Sequence, residues 1–261
     1  MDKEKLTRHL IHAQDKLLVL RLLDKAERAE RQYVPHYTDF LDPCQLSLCK
    51  GVLANIPEVA YCTFGGIENA ERNVLAIYPE SMSGYDLENP LEALRITGNF
   101  SQTEITHRDV LGAVLGLGIK REKIGDILVG EGKIDFIGFK DICCFLYIGL
   151  EKISKYKVSL ESIAFDKLEK PYEQSKTICG TVSSLRLDSI LALGFGESRN
   201  SISKWIHHDN VKVNWRAVNQ LSYEVKEGDM ISLKGKGRII LEEIGNKTKK
   251  DRIKIVIKRL I

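Results

Sequence analysis

The stretch RLDSILALGFGESRNSISKWIHHDNVKVN, residues 186–214, switches from helical to strand periodicity, and that switch decides the C-terminal fold. Leu187, Ile190 and Leu191 share one face of a helix, with Arg186 and Asp188 off it. Ser198 is placed to cap a second helix whose apolar face is Ile202, Trp205 and Ile206, which leaves Arg199 and Lys204 to solvent. In VKVN the period falls to two: Val211 and Val213 point one way, Lys212 and Asn214 the other. Alternation continues in LSYEVK (221–226) and MISLK (230–234), separated by the turn Glu227-Gly228-Asp229. Two short helices on a small bent sheet are expected.

Charge marks the same region. From Thr181 to Ile261 there are 16 Lys and Arg against 9 Asp and Glu, whereas the preceding 180 residues carry 23 against 27. A basic module on a mildly acidic body is the footprint of phosphate-backbone binding, and also that of an ordinary solvated face. With 43% hydrophobic and 29% charged residues the chain has the composition of a folded protein. No run approaches the length of a signal peptide or a membrane span, so a cytoplasmic location without membrane partners is expected. The six cysteines, at 44, 49, 62, 143, 144 and 179, form no C-x-x-C pair and no zinc-finger array. They read as reduced, mostly packed thiols, and no metal or cofactor is implied.

Upstream, Lys3 to Gln32 has Leu6, Leu10, Ala13, Leu17 and Leu20 at helical spacing and is ended by Tyr33-Val34-Pro35. A second helix is expected from Pro43 to Ile56. From Asn73 the pattern alternates: strands at 73–78 and 91–97, a helix at 106–117 opened by Thr106 and Asp109 as a capping box, strands at 127–129 and 134–139, a helix at 141–153, and a strand at 157–163. The expected class is α+β, with a helical N-terminal subdomain (1–72), a ferredoxin-like or RNA-recognition-motif-like middle domain (73–168), a linker (169–180) and a basic C-terminal domain (181–261), whose RNA-binding reading rests on resemblance. The segment KIDFIGFKD, residues 133–141, lacks the full aromatic pattern by which recognition motifs stack bases.

Read in order, RLD..LA, SR.....WI, V.VN, EGD.I and KGKGR resemble the S-four RNA-binding domain, or αL motif, of a small-subunit ribosomal protein, tyrosyl-tRNA synthetases and many pseudouridine synthases. The resemblance implies RNA along the exposed face of the two helices and the adjoining loop. It points to Arg186, Ser198, Arg199, Lys204, Lys212, Asn214, Arg216 and the Lys234, Lys236, Arg238 loop as contacts to phosphates and riboses. Arg186 and Asp188 are also read as an intradomain salt bridge. Where such domains usually place Gly after the Asn of V.VN, this sequence has Trp215. Either the turn is longer, or Trp215 is exposed to stack on a base, or it packs on the linker.

Two further stretches, FGGIENAERN (64–73) and THRDVLGAVLGLGIKREKIGDILV (106–129), resemble motifs of the YlmH-type bacterial proteins, which extends the likeness over nearly the whole chain. Arg72, His107, Arg108 and Arg121 are the candidate RNA contacts there, beside a purely structural reading of the same motifs. Ile67 stands where that family more often has Tyr. By this resemblance the protein would bind ribosomal RNA or peptidyl-tRNA on the large ribosomal subunit, in rescue or quality control of stalled nascent chains; separately, a monomer is expected. The family's genes lie in a cell-division cluster, so a division accessory role is the alternative among binders.

An enzyme of pseudouridine-synthase type is the competing class. Those enzymes carry the S-four-type domain at the N-terminus and a catalytic Asp in a G-R-L-D loop, whereas here Leu185 precedes Arg186-Leu187-Asp188 in a helix start. No P-loop, H-E-x-x-H, G-x-S-x-G or dinucleotide fingerprint appears, and no catalytic residue is assigned.

Overall fold

In the computed structural model, which describes all residues except 1, 9, 83–86, 101–103, 131, 169–174 and 261, the chain divides into two compact units, Met1–Pro171 and Tyr172–Ile261. Each has its own apolar clusters. Among the described residues no helix is long and apolar enough to cross a membrane.

The long N-terminal periodicity resolves into α1 (Lys3–Thr7) and α2 (Ala13–Gln32). The break lets α1 fold back, so that the Lys3 ammonium reaches Asp24 at 2.7 Å and Glu27 at 2.9 Å on α2. Tyr33, at a φ of 55°, ends α2 and leads into β1 (His36–Tyr37). Next comes α3 (Pro43–Leu53), which opens on a capping box between Asp42 and Gln45. The N-terminal region is not only helical: β1, β2 (Val59–Phe64) and β3 (Val74–Pro79) form an antiparallel sheet in the order β1-β3-β2. The run that starts at Asn73 therefore pairs with N-terminal strands, not with the sheet that follows. Burial of Leu75 and Ile77 against Val19, Leu22 and Leu23 of α2 selects that partner.

The second sheet is built from β4 (Leu91–Gly98), β5 (Ile124–Val129), β6 (Ile134–Phe139), β7 (Lys152–Ile153) and β8 (Tyr156–Ile163), in the order β5-β6-β4-β8-β7 and antiparallel throughout. Helices α4 (His107–Gly116) and α5 (Lys140–Gly149) cover one face, over Leu94, Ile96, Ile134 and Phe136. The opposite face carries Leu91, Ala93 and Arg95 from β4 against Phe139, Ile137 and Asp135 from β6. Phe40, Phe64, Ile67 and Val74 of the N-terminal region close over it, together with Phe165 and Leu168. The fit is tight at two glycines: a Cβ on Gly66, whose φ is +84°, would come within 3.1 Å of Ile137, and one on Gly125 within 2.8 Å of the Phe40 ring.

The expected linker differs from the structure. Residues 169–174 lie outside the described ones, and from Ser175 the chain is already strand β9 (Ser175–Val182). It is followed by α6 (Leu187–Phe195), α7 (Arg199–His207), β10 (Val211–Val213), β11 (Arg216–Ala217), β12 (Met230–Leu233), β13 (Gly237–Lys247) and β14 (Ile253–Leu260), in a six-stranded sheet ordered β11-β10-β12-β13-β14-β9. The LSYEVK run is not a strand. It crosses the start of α6, where Leu187 N–H donates to Tyr223 O at 2.8 Å and Val225 N–H to Leu185 O at 2.9 Å, and its alternation serves to bury Val225 under the helices.

All six cysteines are free thiols, but packing is uneven. Cys49 and Cys143 are buried, and burial pushes the Cys49 thiol up to about 12. Cys44 and Cys62 are half-buried, and Cys144 and Cys179 are exposed, the exceptions among mostly packed thiols.

Candidate nucleic-acid interface

The two short helices of the C-terminal unit meet through Ile190, Leu191, Ile202 and Ile206, which are all fully buried. This packing sets the cations at their starts beside one another. Arg186, at the N-cap of α6, donates from Nε to Asp188 Oδ1 at 3.1 Å, so the salt-bridge reading of this pair holds. Asp188 is almost buried while the Arg186 side chain is 45% exposed, which leaves the outer edge of the guanidinium facing water. Ser198 caps α7 by accepting from Ser201 N–H at 3.1 Å. Arg199, the first residue of α7, reaches back to the Ser183 and Ser189 hydroxyls, which ties it to the α6 side. Lys204 lies exposed on the outward face of α7 and makes no ion pair among the described residues.

The loop between β12 and β13 approaches the same helices. Gly235 and Gly237, at φ of +84° and +106°, give the turn its shape. Lys236 Nζ sits 2.8 Å from Glu197 Oε1 in the α6–α7 connection, and this ammonium holds the Glu197 carboxyl below its usual range. Lys234 is exposed, and its N–H donates to Asn210 O at 2.9 Å. Arg186, Ser198, Arg199, Lys204, Lys234 and Lys236 thus gather around the helices.

Other candidates do not join that surface. Val211 and Val213 face the helices, so alternation turns Lys212 to the far side of the sheet. The register Lys212↔Ser232↔Arg238 puts Arg238 on that side as well. The hairpin closed by Val213 and Arg216 has two central residues, Asn214 and Trp215, at φ of 47° and 65°. The turn is therefore not lengthened to accommodate Trp215. Asn214 is a clamp: it donates from Nδ2 to Asp229 Oδ1 at 2.7 Å and accepts from Met230 N–H at 3.0 Å. Trp215 is half-buried and Arg216 exposed at the tip.

In the first unit, Thr106 and Asp109 form the expected capping box, with Asp109 Oδ2 accepting from Thr106 N–H at 2.8 Å. His107 and Arg108 stand exposed on the first turn of α4. Arg72 is engaged internally, donating to Ile124 O at 2.9 Å and Phe40 O at 3.1 Å. Arg121 donates to Ile124 O at 2.8 Å. The Asp126 carboxylate accepts the Glu71 and Arg72 N–H groups at 2.8 and 3.1 Å, although burial raises its pKa. Asp126 thereby fastens the 64–73 motif onto β5, a role that has no signature in spacing.

A recognition-motif sheet stacks bases on aromatic side chains of its helix-free face. Here that face bears a bidentate Arg95–Asp135 pair, with contacts of 2.7 and 2.8 Å. Its Phe139 packs edge-on to Phe40, with ring centroids 5.3 Å apart. The stacking platform is occupied from within the chain.

Comparison with known proteins agrees with this architecture. Residues 14–82 match the family described as "YlmH, N-terminal", residues 64–167 that described as "Putative RNA-binding domain in YlmH", and residues 185–231 the "S4 domain". The "Ribosome-associated protein quality control protein P2" of Bacillus subtilis is 35% identical over 230 residues, 88% of this chain and 89% of that protein. The small ribosomal subunit protein uS4 of Lachnoclostridium phytofermentans is 34% identical over a match spanning 33% of this chain and 52% of its own length. A solved structure titled "Cell division protein ylmH from Streptococcus pneumoniae" is 25% identical with a TM-score of 0.52, covering 61% of this chain and 97% of that one. Three consecutive matches and a relative aligned along most of both chains make this protein a member of the YlmH family, with a C-terminal S4 RNA-binding domain.

Proposed function

We propose that the chain is a non-catalytic RNA-binding protein that holds ribosomal RNA and peptidyl-tRNA on the large ribosomal subunit during quality control of stalled nascent chains. The observation that carries this reading is the group of exposed cations around α6 and α7: Arg186, Arg199 and Lys204 on the part of the chain that matches the S4 domain, and Lys234 just beyond it. The relative named for ribosome-associated quality control supports the ribosomal setting. Strand order β5-β6-β4-β8 with two helices on one face supports a ferredoxin-like middle domain whose closed sheet acts as a rigid spacer. In this mechanism the protein positions RNA and performs no bond chemistry, as a monomer in the cytoplasm.

Co-sedimentation tests it. The intact protein should pellet with large subunits bearing peptidyl-tRNA, and the Arg186→Ala/Arg199→Ala/Lys204→Ala variant should stay in the supernatant. Released counterions make the affinity salt-dependent, so Kd should rise at least about tenfold between about 50 and 200 mM salt. Intact protein free of every ribosomal fraction, or an affinity indifferent to salt, would refute the reading.

A further inference from the structure

The first unit gathers cations that its own carboxylates neutralise only in part. Arg21, Lys25, Arg28 and Gln32 fall within about 60° of the circumference of α2 and extend over about 16 Å of its axis. His36 on β1 continues this stripe, with its Nε2 3.2 Å from Gln32 Oε1. Lys123, which leads into β5, closes it from the second sheet, with its Nζ 5.2 Å from the centroid of the Phe139 ring.

The acids that could balance the stripe are engaged. Asp24 and Glu27 flank it on α2, but both are held by the Lys3 ammonium of the folded-back α1. Asp39 is held by Lys123 at 2.7 Å. Neither Lys25 nor Arg28 makes an ion pair among the described residues: Asp39 draws on Lys25 and Asp24 on Arg28 only at longer range, while the cations repel one another. Burial, joined by Lys123 and Arg28 and opposed by Asp39, pushes the Lys25 ammonium below its usual range, while burial, helped by Lys25 and Arg28, does the same for the His36 imidazole. Like charges crowded in this way are relieved by a polyanion.

We propose that Arg21, Lys25, Arg28, His36 and Lys123 form a second RNA-contact surface, which grips consecutive backbone phosphates outside the S4 domain. The inference rests on the RNA-binding reading above and adds where the first unit contributes. The layer that closes the recognition-motif face carries the replacement surface itself. Its chemistry is phosphate contact without base stacking, so it positions RNA without reading sequence.

The test is fluorescence anisotropy of the full chain with a labelled stem–loop RNA across a salt series, for the parent, Lys25→Gln/Arg28→Gln, Arg28→Gln and Arg186→Ala/Arg199→Ala/Lys204→Ala. Loss of two phosphate contacts should lower the slope of log Kd against log salt by about 1.4 to 1.8 in the double variant. Arg28 is exposed, so its single substitution leaves the fold intact and should lower the slope by about 0.7 to 0.9, which keeps the test decisive if the double variant melts early. Parent-like slopes and Kd in both, beside lost affinity in the S4-domain variant, would overturn the inference and leave the proposed function standing. A parent that does not bind RNA would overturn both.

Discussion

Trp215 holds a backbone φ of 65°, which an L-residue with a large side chain adopts at a cost of about 1 to 2 kcal/mol. The turn keeps this conformation because Asn214 is locked to Asp229 and Met230 on the neighbouring strand. Trp215→Gly separates the two contributions of the side chain. The variant should unfold at the same or a higher temperature, stabilised by up to about 1 kcal/mol, while its RNA affinity falls by about 1 to 3 kcal/mol if the ring stacks on a base. Thermal melts beside RNA titrations read both, and an unchanged affinity would assign Trp215 to packing alone. At this scale the sequence was only partly legible. Its residue types named Arg186, Arg199 and Lys204, all of which the structure leaves at the surface. The same reasoning could not tell them from Arg72 and Arg121, because an arginine that serves backbone carbonyls and one that awaits a phosphate look alike until burial is known.

Among the elements, those with strong local signals were readable. Thr106 and Asp109 announced the start of α4, and the reciprocal bonds are present. Thr106→Ala should cost about 1 kcal/mol of stability by removing the cap. The Thr106 hydroxyl and N–H hold Asp109 below the usual carboxylate range, so stabilisation by this box is full at neutral pH and fades as pH falls through that depressed value. The penalty in the variant, measured by denaturant unfolding, should therefore shrink in acid, and a pH-independent penalty would contradict the role given to Asp109. Elements defined by distant partners were not readable. Strands β13 and β14 pair through register shifts between Leu241 and Glu243 and again between Ile244 and Lys247, which blurs the alternation on which strand recognition depends. Strand β9 looked like linker because the stretch from Glu169 to Thr181 holds Pro171, Gly180 and several polar residues, and only the pairing with β14 makes it strand.

For the whole molecule, the two units have separate apolar cores, and the second buries sixteen residues, from Val182 to Ile257, in one cluster. Residues 172–261 expressed alone should therefore fold cooperatively, with the far-ultraviolet spectrum of mixed helix and sheet, and should retain RNA binding with a smaller salt slope than the full chain. A fragment that remains unfolded would show that the first unit is needed to support it. The pairing of β9 with β14 also has a consequence for how the protein is made. Val182 pairs with Ile253 and Ser175 with Leu260, and Arg252 donates to Thr181 O at 2.6 Å, so the first strand of this unit is fastened to its last. During translation β9, α6 and α7 emerge well before their closing strand, and through that interval the sheet has open edges that only later synthesis can seal. The RNA-binding unit is thus completed at the end of its own synthesis, and a chain cut short before Ile253 would leave the edges of β9 and β13 as a ready substrate for degradation.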